Sequence, residues 1–143
     1  METNMEIATI SREAGCFVGE TLVKTKEGYK EIRDIEIGEM VWSFDEENDK
    51  KSWKKVYEIF TFDDKKIIEI LLSDDTSIRC TEDHLFFVDG DWVEAKELEY
   101  IDDLEIIKIK KLKQTCTVYD ISVENNNTFF VTENNILVHT SSK

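Results

Sequence analysis

The stretch Ile67-Ile68-Glu69-Ile70-Leu71-Leu72-Ser73-Asp74-Asp75-Thr76-Ser77-Ile78-Arg79-Cys80 contains two runs rich in β-branched residues on either side of a short polar segment. Such runs, with apolar side chains recurring every second residue, are typical of strands that bury one face. The serine and the two aspartates between the runs are residues that favour turns. This part of the chain therefore predicts two β-strands separated by a turn.

The same pattern continues through most of the chain. Apolar residues recur with a period of two in residues 21–25, 40–44, 56–60, 67–72, 76–80 and 106–110, and residues that favour turns occupy 26–28, 46–49, 73–75, 89–91, 124–127 and 133–135. Only residues 32–37 and 93–98 repeat apolar side chains at three or four positions, as a helical turn does. About ten or more short strands at this spacing predict an all-β fold with one or two short helical turns.

Length and composition fit a single folded domain. The chain has 143 residues, of which 41% are hydrophobic, and this is enough for one core but too little for two ordinary domains. We predict a head segment at residues 1–15, a folded domain at 16–140 and a tail at 141–143. A weak similarity between residues 28–32 and 91–96, each a strand after a turn that leads into a helical turn, is compatible with two similar halves.

Net charge and hydropathy limit the kinds of partner that we expect this protein to bind. The net charge of −14, from 32 acidic and 18 basic residues, would repel the phosphate backbone of a nucleic acid. Lysines at 54–55, 65–66 and 108–113 are interleaved with apolar or acidic residues, as on the solvated faces of strands. No apolar run approaches the roughly 18 residues of a membrane span, and we find no signal-peptide pattern. We expect a soluble protein that binds neither nucleic acid nor membrane.

The three cysteines indicate neither a disulfide scaffold nor a zinc site, because the spacing of Cys16, Cys80 and Cys116 contains no Cys-x-x-Cys or Cys/His pair. We expect no metal and no cofactor. Cys80 and Cys116 have β-branched neighbours, which predicts small buried residues on strands, whereas Cys16 follows Gly15 outside any apolar period. Three thiols favour a reducing compartment, so a cytoplasmic location is favoured although the sequence does not fix it.

The only two histidines each end a short phrase, Thr81-Glu82-Asp83-His84 and Ile136-Leu137-Val138-His139. Together with the Cys16 thiol, two imidazoles form a set that can carry out acyl chemistry on a backbone peptide bond. The Gly15–Cys16 bond is the candidate substrate.

Several phrases occur in order and together resemble a known family. They are Phe17 to Val23 after Cys16, Thr81-Glu82-Asp83-His84 with Gly90-Asp91-Trp92-Val93 and Ala95-Lys96-Glu97-Leu98, Val118-Tyr119-Asp120-Ile121-Ser122-Val123, Thr128-Phe129-Phe130-Val131, and Leu137-Val138-His139. This set is similar to that of a mini-intein or bacterial intein-like domain of the Hint (hedgehog/intein) superfamily. The short segment between Leu98 and Thr117 leaves no room for the endonuclease insertion that many inteins carry there.

The resemblance implies a fold, an activity and a partner. The fold would be a horseshoe of many short strands with two pseudo-symmetric halves, which brings the ends of the domain together. The activity would be single-turnover protein splicing or self-cleavage. The partner would be the chain's own flanking segments, and we expect a monomer.

At the upstream end, Cys16 is the predicted nucleophile, since its sulfur can attack the Gly15 carbonyl through a five-membered ring and convert the amide into a thioester. The resemblance implies that Thr81 and His84 hydrogen-bond the Cys16 amide, and that the imidazole protonates the departing nitrogen. Asp120 has apolar neighbours, so we predict a buried strand carboxylate able to accept the thiol proton. Asp83 is predicted to be a turn residue that shapes its phrase.

At the downstream end, His139 would polarise or protonate the peptide that follows it. The sequence departs from the family at Thr140, where inteins generally have an asparagine that cyclises to a succinimide. A threonine hydroxyl would have to close a four-membered lactone, so this release step is blocked. Ser141 could still accept the acyl group from the thioester. A second departure is Asn127, where many relatives have a histidine, because an amide cannot shuttle protons near neutral pH.

Two other readings stay open at this point. The chain could be a degenerate Hint-like β domain that retains the fold and cleaves nothing. It could also be a hydrolase that acts on other molecules with Cys16 and His84 as a dyad, although no glycine-rich oxyanion motif supports that reading.

Overall fold

The computed structural model describes residues 16–140, and twelve strands account for most of them. They are β1 (Phe17–Val18), β2 (Leu22–Thr25), β3 (Gly28–Glu31), β4 (Met40–Asp45), β5 (Lys50–Leu72), β6 (Ser77–Cys80), β7 (Leu85–Val88), β8 (Asp91–Glu94), β9 (Tyr100–Ile101), β10 (Leu104–Val123), β11 (Thr128–Val131) and β12 (Ile136–His139). The helical elements in this range are two 3₁₀ turns, Ile32–Asp34 and Ala95–Glu97. No helix among these residues has the length and apolar character needed to cross a membrane. The all-β prediction and the positions of both helical turns are confirmed.

Antiparallel pairing joins the strands into one continuous path. Neighbouring strands follow the order β8-β7-β12-β11-β2-β4-β5-β6-β1-β10-β9, with β3 paired to β2 and β5 also paired to β10. The first strand, β1, therefore lies between β6 and β10, and the last strand, β12, lies between β7 and β11. Because interior strands are paired along both edges, the two ends of the described chain are held by backbone hydrogen bonds rather than left at a sheet edge.

β5 and β10 are longer than the sequence predicted. The strands expected at 56–60 and 67–72 are parts of the single strand β5, which pairs with β10 for most of its length. The polar residues Asp63 and Asp64 between them resemble a turn, and Asp64 does adopt a left-handed φ of 57°. The chain bulges there instead of reversing, because pairing with β10 resumes on the far side at Lys65.

Two apolar clusters form on opposite faces of the sheet. The larger contains Phe17, Cys80 and Phe86, and the smaller is built from Cys16, Val18, Ile67 and Val118. Since successive residues of a strand face opposite sides, Cys16 and Phe17 fall into different clusters. The prediction of a buried small cysteine is confirmed for Cys80, while Cys116 is only half-buried at the rim of the smaller cluster.

The two halves repeat the same local structure, and each residue of the second half lies the same number of positions after its equivalent in the first half. In the first half Thr21 N donates to Val18 O and Ile32 N donates to Thr21 O. The second half has the equivalent bonds from His84 N to Thr81 O and from Ala95 N to His84 O. The phrase Thr81–His84 is thus the counterpart of the tight turn after β1, and the expected pair of similar halves is confirmed.

Candidate active site

The backbone of Cys16 is held from both sides by Thr81. The Cys16 N–H donates to Thr81 Oγ1 at 2.9 Å, and the Cys16 carbonyl accepts from the Thr81 N–H at 2.9 Å. Cys16 itself has no exposed surface. Residues that are far apart in sequence thus form one two-way clamp around the backbone of Cys16.

His84 lies directly beside this clamp. The Thr81–His84 turn is closed by a bond from His84 N to Thr81 O at 3.3 Å. The His84 ring is fully buried, with its centroid 4.1 Å from that of the Phe17 ring, the residue after Cys16. Asp83 lies in the turn, as predicted, and its charge adds to the effect of burial in raising the pKa of the Cys80 thiol.

Asp120 approaches Cys16 from the opposite side. Strand β1 pairs with β10 through Phe17–Tyr119 and Val18–Val118, so the next position in this register brings Asp120 across from Cys16. The Asp120 side chain is fully buried, as the sequence predicted, and its Oδ1 accepts the N–H of Ile121 at 2.9 Å. Cys16 therefore lies between a threonine and histidine turn on one side and a buried carboxylate on the other.

The downstream end is built around Thr140. His139 Nδ1 lies 2.6 Å from the Thr140 carbonyl oxygen, and the Thr140 hydroxyl donates to the carbonyl of Ile121 at 2.6 Å. Both His139 and Thr140 are buried. A ring nitrogen that donates to this oxygen would polarise the peptide bond after Thr140.

Asn127 has a structural contact that sequence analysis did not anticipate. Its backbone carbonyl accepts the Thr140 N–H at 2.8 Å, and its Oδ1 accepts the Val123 N–H at 3.0 Å. Asn127 also adopts a left-handed φ of 53°, which asparagine tolerates better than most residues. The run Glu124-Asn125-Asn126-Asn127 predicted a turn, but it did not predict that Asn127 would bond Thr140.

The two ends meet on adjacent residues of β10. Asp120 lies across from Cys16, and the carbonyl of Ile121 receives the Thr140 hydroxyl. Gly15 and Ser141, the predicted neighbours of the two reacting positions, lie outside the described residues. Sequence analysis also missed the ring of Trp92, whose centroid is 5.0 Å from that of His139.

Comparisons with solved structures identify the fold. A bacterial intein-like domain from Clostridium thermocellum has a TM-score of 0.79 at 26% identity, covering 87% of this chain and 98% of that chain. The gp41-1 intein has a TM-score of 0.71 at 29% identity, covering 88% of this chain and 98% of its own. A DnaB intein from Synechocystis sp. PCC 6803 has a TM-score of 0.76 with coverages of 89% and 99%, and at 21% identity this likeness shows the fold alone. The predicted Hint-type fold is confirmed.

At the level of sequence, no curated protein matches the chain. A family model does match: the model described as the pretoxin Hint domain covers residues 22–141, well over half of the chain. It begins after Cys16 and includes the Thr81–His84 turn, Asp120 and the whole downstream end. The chain belongs to the pretoxin Hint domain family.

Proposed function

We propose that the chain is an autocatalytic domain of the splicing type, which acts once, in cis, on the peptide bond between Gly15 and Cys16. The observation that carries the proposal is the convergence on Cys16, whose amide nitrogen bonds Thr81 and whose strand position faces buried Asp120. The inteins and the intein-like domain that share this fold support it.

The first step is an acyl shift from nitrogen to sulfur. Cys16 Sγ attacks the carbonyl carbon of Gly15, the C–S bond forms and the C–N bond to Cys16 breaks. The products are a thioester on the sulfur and a free amine on Cys16. The thiol gives up one proton and the departing nitrogen takes one, so the step is an isomerisation with no co-reactant.

Each proton has a nearby group to handle it. Asp120 accepts the thiol proton, because it is a buried carboxylate on β10 at the position opposite Cys16. His84 delivers a proton to the departing nitrogen, since its ring packs against Phe17, one residue from that nitrogen. The bond to Thr81 Oγ1 holds the Cys16 N–H in a fixed direction, so the developing lone pair is presented consistently to the acid.

The thioester is then resolved by water, by an added thiol or by the hydroxyl of Ser141. Thr140 provides no efficient release of the downstream end, because its hydroxyl would close a four-membered ring and is already bonded to Ile121 O. The useful outcome is therefore upstream cleavage or transfer rather than complete splicing.

Intact-mass measurement of the full chain with a strong thiol or hydroxylamine tests the proposal. We expect the separate fragments 1–15 and 16–143, with the thiol or hydroxylamine adduct on residue 15. Cys16→Ala should abolish cleavage, Cys116→Ala should retain it as the matched thiol control, and His84→Ala should slow it about 10²–10⁴-fold.

An unchanged mass in the wild type would reject the proposal and favour a domain that retains the fold without cleaving. An unchanged mass together with turnover of an added thioester would favour a hydrolase acting on other molecules. Cleavage that persists in Cys16→Ala would reject Cys16 as the nucleophile.

A further inference from the structure

We propose that Trp92 and Glu46 are positioning residues for the downstream end, because they hold the His139 ring in the orientation that directs Nδ1 at the Thr140 carbonyl. This inference rests on the proposed self-processing function. It goes beyond that function because both residues are argued to act through the His139 ring.

The Trp92 indole packs against the His139 ring in an edge-to-face arrangement. The two ring centroids are 5.0 Å apart and the ring planes are inclined at 83°. On β7, Phe87 pairs with Trp92 and lies 4.8 Å from the indole, and Phe44 lies 5.7 Å from Phe87. The indole is therefore supported by a row of aromatic rings, and this row ends at the histidine.

A hydrogen bond fixes the rotation of the indole. Trp92 Nε1–H donates to Glu46 Oε2 at 2.9 Å. Glu46 lies in the turn between β4 and β5, which Asp45 closes by accepting the backbone N–H groups of Glu47 and Asn48. The turn, β8 and β12 are thus connected through one indole, although the three elements are far apart in sequence.

The orientation of the His139 ring decides which of its atoms meets the Thr140 oxygen. Rotation about the last side-chain torsion of histidine has broad and roughly two-fold preferences, so a half-turn of the ring costs little by itself. A half-turn would exchange Nδ1 for a carbon at the Thr140 oxygen and would remove the 2.6 Å contact. The edge-to-face contact with Trp92 restrains the plane of the imidazole, and this keeps Nδ1 in line with the Thr140 oxygen.

The test compares variants of the full chain by two readouts. The first is the ¹⁵N chemical shift of His139 Nδ1, which reports the tautomer and hydrogen bond of the ring. The second is the rate at which residues 141–143 are released in a Thr140→Asn background, where asparagine supplies the missing cyclising group.

We expect Trp92→Ala to move the Nδ1 shift towards that of a ring that exchanges between tautomers and to slow the release about fivefold. Trp92→Phe retains an aromatic ring but loses the bond to Glu46, so it should change both readouts only about twofold, as Glu46→Ala does. Glu46→Ala should change both readouts in the same direction but only about twofold, because the hydrogen bond that it removes is exposed. Glu47→Ala, the neighbouring acid on the same turn, should change neither.

An unchanged Nδ1 shift or an unchanged release rate in Trp92→Ala would overturn the inference, and so would a Trp92→Phe variant that is as impaired as Trp92→Ala. If Thr140→Asn releases nothing, the downstream part of the proposed function fails instead. The positioning role is then decided by the Nδ1 shift in the wild-type background.

Discussion

Replacing Thr140 by asparagine should allow downstream cleavage through a succinimide. Two hydrogen bonds fix residue 140: its N–H donates to Asn127 O at 2.8 Å and its hydroxyl donates to Ile121 O at 2.6 Å. An asparagine amide can donate to the same Ile121 carbonyl, which would hold the side chain close to its own backbone carbonyl. His139 Nδ1 already lies 2.6 Å from that carbonyl oxygen. The change therefore adds a nucleophile that closes a five-membered ring to a site that is otherwise assembled.

The size of the effect follows from the contacts. His139→Ala in the Thr140→Asn background should slow release about 10²–10⁴-fold, the usual contribution of a general acid. Asn127→Ala removes the side-chain bond to Val123. It should raise the activation free energy of release by about 1 kcal/mol, which slows release roughly fivefold. Thr140→Ala, which has no nucleophile, is the matched control.

Intact-mass measurement of Cys16→Ala/Thr140→Asn isolates the downstream step from the upstream one. The product should have lost Ser-Ser-Lys and should end in a succinimide at residue 140. If the double variant is folded but stays intact over days, the carbonyl of residue 140 is not polarised in the variant and the reasoning is refuted. Equal rates with and without His139 would refute the assignment of that polarisation to the imidazole.

Three further predictions concern stability and reactivity. Thr132 is a β-branched residue at a left-handed φ of 62°, so Thr132→Asn should raise the free energy of unfolding in urea by about 1 kcal/mol, and a decrease would contradict the strain argument. Burial raises the pKa of the Cys80 thiol, so iodoacetamide at about pH 8 should label it at least about 100-fold more slowly than half-buried Cys116, as read by peptide mass spectrometry; equal labelling would contradict this. A hydrogen bond from Arg79 lowers the pKa of Glu69 from 4.5, so the stabilisation is present above that pH and is lost as the pH falls through the lowered value. Because the pair is exposed, Arg79→Gln should cost less than about 1 kcal/mol near pH 7, and a difference that persists at about pH 2 would refute the electrostatic origin.

Periodicity predicted those parts of the fold that depend on local sequence. The residues with alternating apolar side chains at 21–25 and 76–80 contain β2 and β6. The residues with three- and four-residue spacing at 32–37 and 93–98 contain the two 3₁₀ turns. The continuity of β5 was not predictable in this way, because Asp63 and Asp64 favour a turn locally and only pairing with β10 keeps them in a strand.

For the site, the resemblance named the residues but not every contact. Thr81 was expected at the Cys16 amide, and it does bond there. The contact of Trp92 with His139 and the bond from Trp92 to Glu46 had no signal in the sequence, since they join residues of separate hairpins that differ in burial. Contacts of this kind depend on which turns the sheet brings together, and no local period records that.

The two ends of the proposed site meet on the backbone of β10. Asp120 and Ile121 are neighbours, so their side chains face opposite sides of the sheet, with Asp120 directed at the Cys16 side and Ile121 in the larger core cluster. The same Ile121 offers its carbonyl to Thr140. Register shifts against β5 occur between Cys116 and Val118 and again after Ser122, so the segment that serves both ends is a short regular stretch between two irregular ones. A slip of one residue in this stretch would remove the carboxylate from Cys16 and the acceptor from Thr140 together. In the proposed reaction, one strand therefore sets the geometry of both ends.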